Sequence, residues 1–263
     1  MLKIPFSKYQ GTGNDFVIID NRTAVYLTRK DTERIKTICD RKFGIGADGL
    51  ILLQDKKGYD FEMVYFNADG RESTMCGNGG RCIAAFAKKL GIVSESGHFW
   101  AIDGEHEALF QQNNWVDLKM NDVQEIEMGE DYFILNTGSP HYVIMVEDLS
   151  DINVFENGQA ILYSDRFRKE GINVNFVEKT ANGIIVATYE RGVEDETLSC
   201  GTGVTAAAIA SHIAGNGLKN NQIAISTKGG ELTVKLEKEN GIFKNIWLCG
   251  PAVNVFDGEY FAK

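Results

Sequence analysis

Two cysteines, Cys76 and Cys200, lie in closely similar glycine-rich motifs. Residues 76–79 read Cys-Gly-Asn-Gly and residues 200–203 read Cys-Gly-Thr-Gly. An alanine-rich stretch follows each motif, so each cysteine is predicted at the start of a helix, among unpaired backbone N–H groups and the positive end of the helix dipole. Both effects favour the thiolate and lower the thiol pKa from its usual value of about 8.5.

A matched pair of reactive thiols suits the inversion of a stereocentre. One thiolate removes the α-proton of an amino acid, and the thiol on the other side returns a proton to the opposite face. The pair must then hold one thiolate and one thiol at once, so their titrations are coupled. The glycines that follow let backbone N–H groups approach a substrate carboxylate. We therefore predict that Cys76 and Cys200 exchange an α-proton, with substrate handedness deciding which is the base.

The two motifs belong to a longer internal repeat. Residues 12–18 resemble residues 137–144 at an offset of 125, residues 44–48 resemble 171–175 at 127, residues 66–70 resemble 189–192 at 123, and the cysteine motifs are offset by 124. Four matches in the same order at nearly one offset indicate a duplicated unit.

Each copy of the repeat is predicted to be a strand-rich unit around one helix. Alternating or β-branched runs between Gly and Asn turn signals predict strands at Phe16–Asp20, Phe61–Asn67, Trp115–Met120, Tyr142–Glu147, Gly183–Glu190, Gln222–Thr227 and Glu231–Leu236. Residues 81–90 and 204–213 predict helices that end at Gly91 and Gly215, apolar on nearly every face and therefore buried. We expect an α+β fold of two pseudo-symmetric domains, each a barrel-like sheet around a central helix. Residues 1–121 with 250–263 would form the first domain and 122–249 the second.

Composition and charge favour a small-molecule partner. The 263 residues are 43% hydrophobic and carry a formal net charge of −10, which argues against nucleic acid and anionic membranes as partners. No signal segment and no run of about 18 apolar residues is present, so we expect a soluble cytoplasmic protein. Five cysteines, an odd number, suit free thiols in a reducing compartment.

The remaining cysteines and the histidines give weaker signals. Cys39, Cys82 and Cys249 are expected to be buried and inert, whereas Cys76 and Cys200 occupy equivalent sites in both repeats. There is no Cys-x-x-Cys motif, and the four histidines show no ligand spacing. We therefore expect no metal site.

Residues 75–82 and 199–203 resemble the two active-site motifs of the diaminopimelate epimerase family. The resemblance includes residues 13–16, 67–70 and 190–192, and so extends over nearly the whole chain. It implies a cofactor-independent epimerase that interconverts LL- and meso-diaminopimelate in lysine and cell-wall precursor synthesis. It also implies two pseudo-symmetric barrel domains with the active site in the cleft between them, no pyridoxal phosphate, no metal and, by analogy, a homodimer.

The resemblance also assigns substrate-binding residues. The side chains that match the family's substrate contacts are those of Asn14, Asn67, Asn173, Glu190 and Arg191. The residues that match its backbone donors are Gly77, Asn78, Gly201 and Thr202. Diaminopimelate presents two ammonium and two carboxylate groups, for which Asn, Glu and the guanidinium fork of Arg are suitable partners. Each asparagine could equally be a turn residue, and Glu190-Arg191 a solvated hairpin tip.

Three further positions bear on the resemblance. His141 matches a family histidine beside the reactive centre that tunes a cysteine, although a lone histidine before a strand is as often structural. Ser139 stands where the family usually has Asn and keeps a short polar contact. Gly49 stands where some members have Gln and removes a side chain, so the substrate contacts at these two positions stay open.

Other functions suit the cysteine pair less well. Proline racemases and hydroxyproline epimerases resemble this family in fold and paired cysteines, but typically have His where Asn78 stands and lack the asparagine-rich set. Relatives without the cysteine pair isomerise other metabolites, and the presence of both cysteines argues against them. A thiol redox protein would more often have a resolving cysteine nearby, and a non-catalytic binding module would not need both thiols.

Overall fold

The computed structural model describes residues 2–215 and 221–262. The chain forms two compact units, one made of Met1–Leu118 and Gly250–Lys263, the other of Lys119–Cys249. Among the described residues, each unit has two α-helices, and strands make up most of its regular structure. The predicted strand-rich α+β class is confirmed.

The first unit is a sheet whose strands follow the order β17-β1-β2-β3-β4-β5-β6-β7. The pairs β2–β3 and β4–β5 are parallel and the other pairs antiparallel. Its elements are β1 (Leu2–Gly11), β2 (Asn14–Asp20), α1 (Thr32–Cys39), β3 (Gly49–Gln54), β4 (Phe61–Asn67), α2 (Gly77–Lys89), β5 (Ser96–Ala101), β6 (Gly104–Phe110), β7 (Trp115–Lys119) and β17 (Val253–Ala262).

The second unit repeats this order with β8-β9-β10-β11-β12-β14-β15-β16. Here β10–β11 and β12–β14 are the parallel pairs, and the short β13 also pairs with β12. Its elements are β8 (Ile126–Met128), β9 (Tyr132–Asn136), β10 (Pro140–Val146), α3 (Val154–Leu162), β11 (Asn173–Lys179), β12 (Gly183–Glu190), β13 (Asp195–Thr197), α4 (Gly201–Ile213), β14 (Gln222–Thr227), β15 (Gly230–Glu239) and β16 (Ile242–Pro251). Parallel pairs at matching places in both sheets agree with the predicted internal repeat.

The helices α2 and α4 are the central helices of their units. Each packs against most strands of its own unit, and most of its residues are buried. Small residues on every side let the strands approach the helix closely. Gly91 and Gly215 follow these helices with φ of 72° and 83°, the left-handed conformation predicted for a helix end. Among the described residues, no helix is long and apolar enough to cross a membrane.

Both central helices begin earlier than predicted. They start at Gly77 and Gly201, four and three residues before the predicted positions, which were placed at the first strong helix-forming residues. In the first turn the N–H groups have no intrahelical partner. The low helix propensity of glycine therefore destabilises the helix less there than in its interior. The cysteines therefore occupy the N-cap positions themselves.

Helix α1 covers the opposite face of the first sheet. Ile35, Ile38 and Cys39 pack in one cluster with Val17 and Leu50, whereas the alternate strand residues point toward α2. Both faces of β2 and β3 are thus buried, which explains their continuous apolar sequences. In the second unit α3 occupies the corresponding place, with Val154 and Leu162 packed against Val174 and Tyr189.

Strand register corrects one of the four repeat matches. Gly49 pairs with Asn67 in the first unit, and Val174 pairs with Tyr189 in the second. Phe16 pairs with Gly49, and His141 pairs with Asn173. Gly49 therefore corresponds to Asn173, an offset of 124. The match of residues 44–48 with 171–175 at 127 is wrong by three residues, because it followed similar letters instead of strand pairing.

Substitution of Gly49 by alanine is expected to destabilise the first unit. A Cβ atom at this position would lie 2.5 Å from Cε2 of Tyr65 and 2.6 Å from the carbonyl oxygen of Phe66. Because one of these neighbours is backbone, the strand must shift, and we expect a loss of about 1–3 kcal/mol in the free energy of unfolding, measured by urea denaturation.

The matched control is Gly97→Ala, also at a buried strand glycine. There the added Cβ would meet only the side chain of Val93, at 3.3 Å or more. Its effect should stay within about 1 kcal/mol of zero, since alanine costs less conformational entropy than glycine. Equal destabilisation by both variants would contradict the steric reason given for Gly49.

Candidate functional site

Cys76 is the N-cap residue of α2. Its backbone is extended, with φ −97° and ψ 130°, and its carbonyl oxygen accepts the first helical hydrogen bond, from the N–H of Gly80 at 2.7 Å. Gly77 and Asn78 form the first turn, whose N–H groups point away from the helix body. The thiol thus lies beside backbone donors and the positive end of the helix dipole, as predicted.

The side chain of Asn14 contacts the Cys76 thiol. Cys76 Sγ donates to Asn14 Oδ1 at 3.5 Å, and Asn14 Nδ2 donates to Asp48 Oδ2 at 2.7 Å. Asn14 is the first residue of β2, and Asp48 directly precedes the adjacent parallel strand β3. The structure therefore brings Asn14 to Cys76 and connects both to a carboxylate.

Asp48 belongs to a charged network that holds it in place. Arg41 contacts Asp48 at 2.7 Å and both carboxylate oxygens of Asp15 at 2.8 and 3.0 Å, and buried Lys8 pairs with Asp15 at 2.8 Å. Burial opposes ionisation of Asp15, but the hydrogen bonds with Arg41 and Lys8 outweigh it and hold its pKa well below the usual range. The Asp15 carboxylate therefore stays ionised near neutral pH.

Asn78 has its side chain beneath the turn. It is 1% exposed, and its Oδ1 accepts from Arg81 at 2.9 Å and from Thr12 at 3.4 Å. These bonds tie the first turn of α2 to the start of the repeat motif. The side chain of Asn78 thus supports the turn. The predicted substrate donors of this turn were backbone N–H groups.

Cys200 occupies the same position at α4. It is the N-cap residue, with φ −110° and ψ 114°, and its carbonyl oxygen accepts from the N–H of Val204 at 2.9 Å. The hydroxyl of Thr202 lies 3.5 Å from Cys200 Sγ, and the carbonyl of Thr202 accepts from the hydroxyl of Thr137 at 2.8 Å. Thr12 and Thr137 are matched repeat positions that bind the turn in each unit.

His141 is fully buried and bonded through both ring nitrogens. Nε2 lies 2.9 Å from Thr202 Oγ1, and Nδ1 lies 2.9 Å from Asn175 Nδ2. Burial, with a smaller contribution from the charge of Arg191, lowers the pKa of His141 to about 3. The imidazole is therefore neutral near pH 7, and His141 reaches Cys200 through Thr202.

The other predicted polar residues of the second unit form one group. Asn173 is buried, donates through Nδ2 to Ser139 Oγ at 3.1 Å, and accepts the backbone N–H of Arg191 at 2.9 Å. The Arg191 side chain is exposed and donates to the carbonyl of Glu170 at 2.7 Å, and Glu190, the last residue of β12, is half-buried. Ser139 thus makes a polar contact with another predicted site residue, Asn173.

Asn67 is exposed at the end of β4, where it pairs with Gly49. Its backbone N–H donates to the carbonyl of Arg71 at 3.0 Å, which closes a turn over residues 67–71. The space beside Gly49 is filled by the ring of Tyr65, so the missing side chain at position 49 leaves no gap.

The three other cysteines are buried. Burial raises the pKa of Cys39 and of Cys82 to about 12, so neither forms a thiolate near neutral pH. Within residues 2–215 and 221–262, no three histidine, cysteine or carboxylate side chains are grouped closely enough to hold a metal ion.

Asp48, which contacts Asn14, and Asn175, which contacts His141, were not among the site residues predicted from the sequence. Asp48 was noted only as part of the repeated segment 44–48, with no role assigned to it. Asn175 is buried within β11 and bonds to Thr188 as well as His141. An asparagine inside an apolar strand is unusual and was the signal that could have indicated a role for it.

Comparison with known proteins gives the same family over nearly the whole length. The family model described as diaminopimelate epimerase matches residues 6–124 and 133–255. A diaminopimelate epimerase of Flavobacterium psychrophilum is 52% identical over 95% of this chain and 97% of its own length. That of Aquifex aeolicus is 38% identical over 96% of both chains.

Solved structures share the fold at low sequence identity. A PhzF-family phenazine biosynthesis protein of Bacillus anthracis has a TM-score of 0.77 at 14% identity and covers 100% of both chains. A hydroxyproline epimerase of Agrobacterium vitis has a TM-score of 0.70 at 14% identity and covers 98% of this chain and 91% of its own. With a matching family model and close relatives over almost all of its residues, this chain belongs to the diaminopimelate epimerase family.

Proposed function

We propose that this protein interconverts LL- and meso-diaminopimelate by exchanging the substrate's α-proton between Cys76 and Cys200. The observation that carries the proposal is the cysteine at the N-cap of the central helix in both units, in a chain of this family. At an N-cap, each thiol lies beside the unpaired backbone N–H groups of the first helical turn, which favour the thiolate.

The proposed reaction needs no external acid, base or oxidant. One cysteine thiolate takes the α-proton, which forms an S–H bond and leaves the C–H electron pair on the α-carbon, delocalised into the carboxylate. The other cysteine gives its proton to the opposite face of the same carbon and becomes a thiolate. The N–H groups of residues 77–78 and 201–202 would stabilise the charge that develops on the carboxylate.

The distal end of the substrate carries a second ammonium and a second carboxylate. The exposed guanidinium of Arg191 offers two parallel donors for this carboxylate. The carbonyl and carboxylate oxygens of Asn14, Asn67, Asn173 and Glu190 are suitable acceptors for ammonium groups. A substrate with no second charged end would make no use of these groups, which disfavours proline and hydroxyproline.

The remaining parts of the proposal concern cellular context. We place the reaction in the cytoplasm, in lysine and cell-wall precursor synthesis, with diaminopimelate as the small-molecule partner and the protein as a homodimer. The net charge of −10 supports the expectation that neither nucleic acid nor an anionic membrane surface is a partner.

Incubation in deuterated water tests the function directly. The protein, LL-diaminopimelate and no added cofactor should give meso-diaminopimelate with deuterium at the inverted α-carbon, read by NMR and chiral chromatography. Proline and trans-4-hydroxyproline, run in parallel, should show no α-deuterium above the protein-free rate. Exchange on proline but not on diaminopimelate would assign the chain to the racemase alternative, and no exchange on any of the three would contradict an epimerase.

A further inference from the structure

We infer that the ligand-free protein rests with its two cysteines in opposite protonation states, with Cys200 as the thiolate and Cys76 as the thiol. The inference rests on the proposed function and specifies which residue is the base before substrate binds. It follows from the direction of hydrogen bonds in two chains of side chains, each contained within one unit.

The first chain runs from Asp48 through Asn14 to Cys76. The carboxylate of Asp48 pairs with Arg41 at 2.7 Å and accepts from the amide NH₂ of Asn14, also at 2.7 Å. This fixes the orientation of the Asn14 amide and places its carbonyl oxygen 3.5 Å from Cys76 Sγ. A carbonyl oxygen also only accepts, so the sulfur must carry the proton. The contact stabilises the thiol and opposes the thiolate.

Asp48 is itself fixed in this role. One of its oxygens also accepts the backbone N–H of Asp15 at 3.1 Å, and the other accepts from Arg41 at 2.7 Å. These donors hold the carboxylate in position to accept the hydrogen bond from the Asn14 amide NH₂. Asp48, in the loop before β3, therefore determines that the oxygen end of the Asn14 amide faces Cys76.

The second chain runs from Asn175 through His141 and Thr202 to Cys200. Asn175 Oδ1 accepts from the Thr188 hydroxyl at 2.9 Å, and Nδ2 lies 3.4 Å from the carbonyl of Tyr142, which can only accept. The NH₂ group of Asn175 therefore also faces His141 Nδ1, at 2.9 Å. That nitrogen must accept, so the proton of the neutral imidazole is on Nε2.

The tautomer of His141 sets the direction of the last bond. Nε2–H donates to Thr202 Oγ1 at 2.9 Å, so the hydroxyl hydrogen of Thr202 is directed elsewhere. Cys200 Sγ lies 3.5 Å from the same oxygen, within reach of this hydrogen, and the geometry points to the sulfur as its acceptor. A sulfur that receives a hydrogen bond is stabilised as a thiolate. Asn175 and Asp48 are thus positioning residues that act through their neighbours and in opposite directions.

The test counts thiolates at a fixed pH near neutrality without substrate. Thiolate absorbs in the ultraviolet where thiol does not, so the absorbance lost on acidification measures thiolate content. We expect the wild-type absorbance to be retained in Cys76→Ser and lost in Cys200→Ser. Loss in Cys76→Ser with retention in Cys200→Ser would overturn the assignment, and loss of about half in each would overturn a single resting state. A wild-type protein without thiolate absorbance would overturn it as well.

A second measurement separates charge from accessibility. Cys200 is 7% exposed and Cys76 is half-buried, so access alone favours alkylation of Cys76 by iodoacetamide. Brief alkylation with mass-spectrometric quantification of each cysteine should instead modify Cys200 faster. Thr202→Val should slow alkylation of Cys200 roughly three- to ten-fold, the value of one hydrogen bond, whereas Thr202→Ser should keep the wild-type rate. Equal rates of Cys200 alkylation in the Val and Ser variants would overturn the proposed role of the Thr202 hydroxyl.

The first chain is tested in the Cys200→Ser background. There, Asn14→Ala removes the acceptor, and alkylation of Cys76 should rise roughly three- to ten-fold. An unchanged or lower rate would overturn that half of the inference. Because no assay uses diaminopimelate, these results are independent of the deuterium experiment, so failure of the inference and failure of the proposed function are distinguishable.

Discussion

Serine in place of either Cys76 or Cys200 is expected to reduce epimerisation by at least about 10²–10⁴-fold, the usual contribution of a positioned acid or base. A serine hydroxyl is far too weakly acidic to supply an alkoxide near neutral pH. Since the proposed reaction uses one cysteine on each face of the α-carbon, the loss of either one removes inversion in both directions. Conversion of LL- into meso-diaminopimelate, followed by chiral chromatography, measures the effect.

The two serine variants should differ in the exchange that remains. Each keeps one thiol, which can still exchange the α-proton of the stereoisomer whose hydrogen is directed at it. Deuterium incorporation into LL- and meso-diaminopimelate should therefore show opposite preferences in the two variants. Full epimerisation by either one, or the same preference in both, would make one cysteine structural. Cys249→Ser, at a buried strand cysteine of β16, is the control and should remain active.

Arg191→Ala should raise KM for diaminopimelate and cost on the order of 2–4 kcal/mol in transition-state stabilisation, about a 30- to 700-fold fall in kcat/KM. The Arg191 guanidinium is exposed in the ligand-free protein and uses Nη1 to contact the carbonyl of Glu170. A distal substrate carboxylate bound there would lose a bidentate, charge-assisted partner. Steady-state kinetics with LL-diaminopimelate give both constants.

The control for Arg191 is Arg168→Ala, which removes a guanidinium from an exposed ion pair with Asp165. Surface pairs of this kind contribute little, so kcat/KM should stay close to wild type. Arg191→Lys, which keeps the charge but not the fork, should fall between wild type and alanine. If Arg191→Ala and Arg168→Ala behave alike, Arg191 is a solvated hairpin residue.

The repeat and the strong periodic segments were accessible from the sequence because they depend on local pattern. The strands Phe61–Asn67, Gly183–Glu190 and Gln222–Thr227 have the predicted bounds. The two helix ends at Gly91 and Gly215 were recognisable because glycine adopts the left-handed conformation at little cost. The family assignment followed from the two cysteine motifs and is confirmed by the comparisons.

The short helices α1 and α3 were not predicted. They have 8 and 9 residues, lengths at which a helix in water is marginal and depends on packing against the sheet. The starts of α2 and α4 were missed for a related reason. A glycine-rich turn has low intrinsic propensity for helix, and only the tertiary structure selects the helical conformation for it.

The contacts around the cysteines were the least predictable part of the site. Cys76 and Asn14 are 62 positions apart in sequence, and Thr202 and His141 are 61 apart. Nothing in local sequence determines which atom of an amide or imidazole points toward a sulfur. That direction depends on third partners such as Asp48 and Asn175, which strand pairing brings into place.

The pairing of β1 with β17 affects the order in which the chain can fold during synthesis. The two strands pair from Leu2 with Ala262 to Gln10 with Val253. The ribosome makes β1 first, yet its partner emerges only after the whole second unit has been translated. The second unit can therefore complete its sheet on the ribosome, while the first must wait with one edge of β1 unpaired and open to aggregation. Removal of β17 by truncation would leave the earlier-made unit permanently in that exposed state.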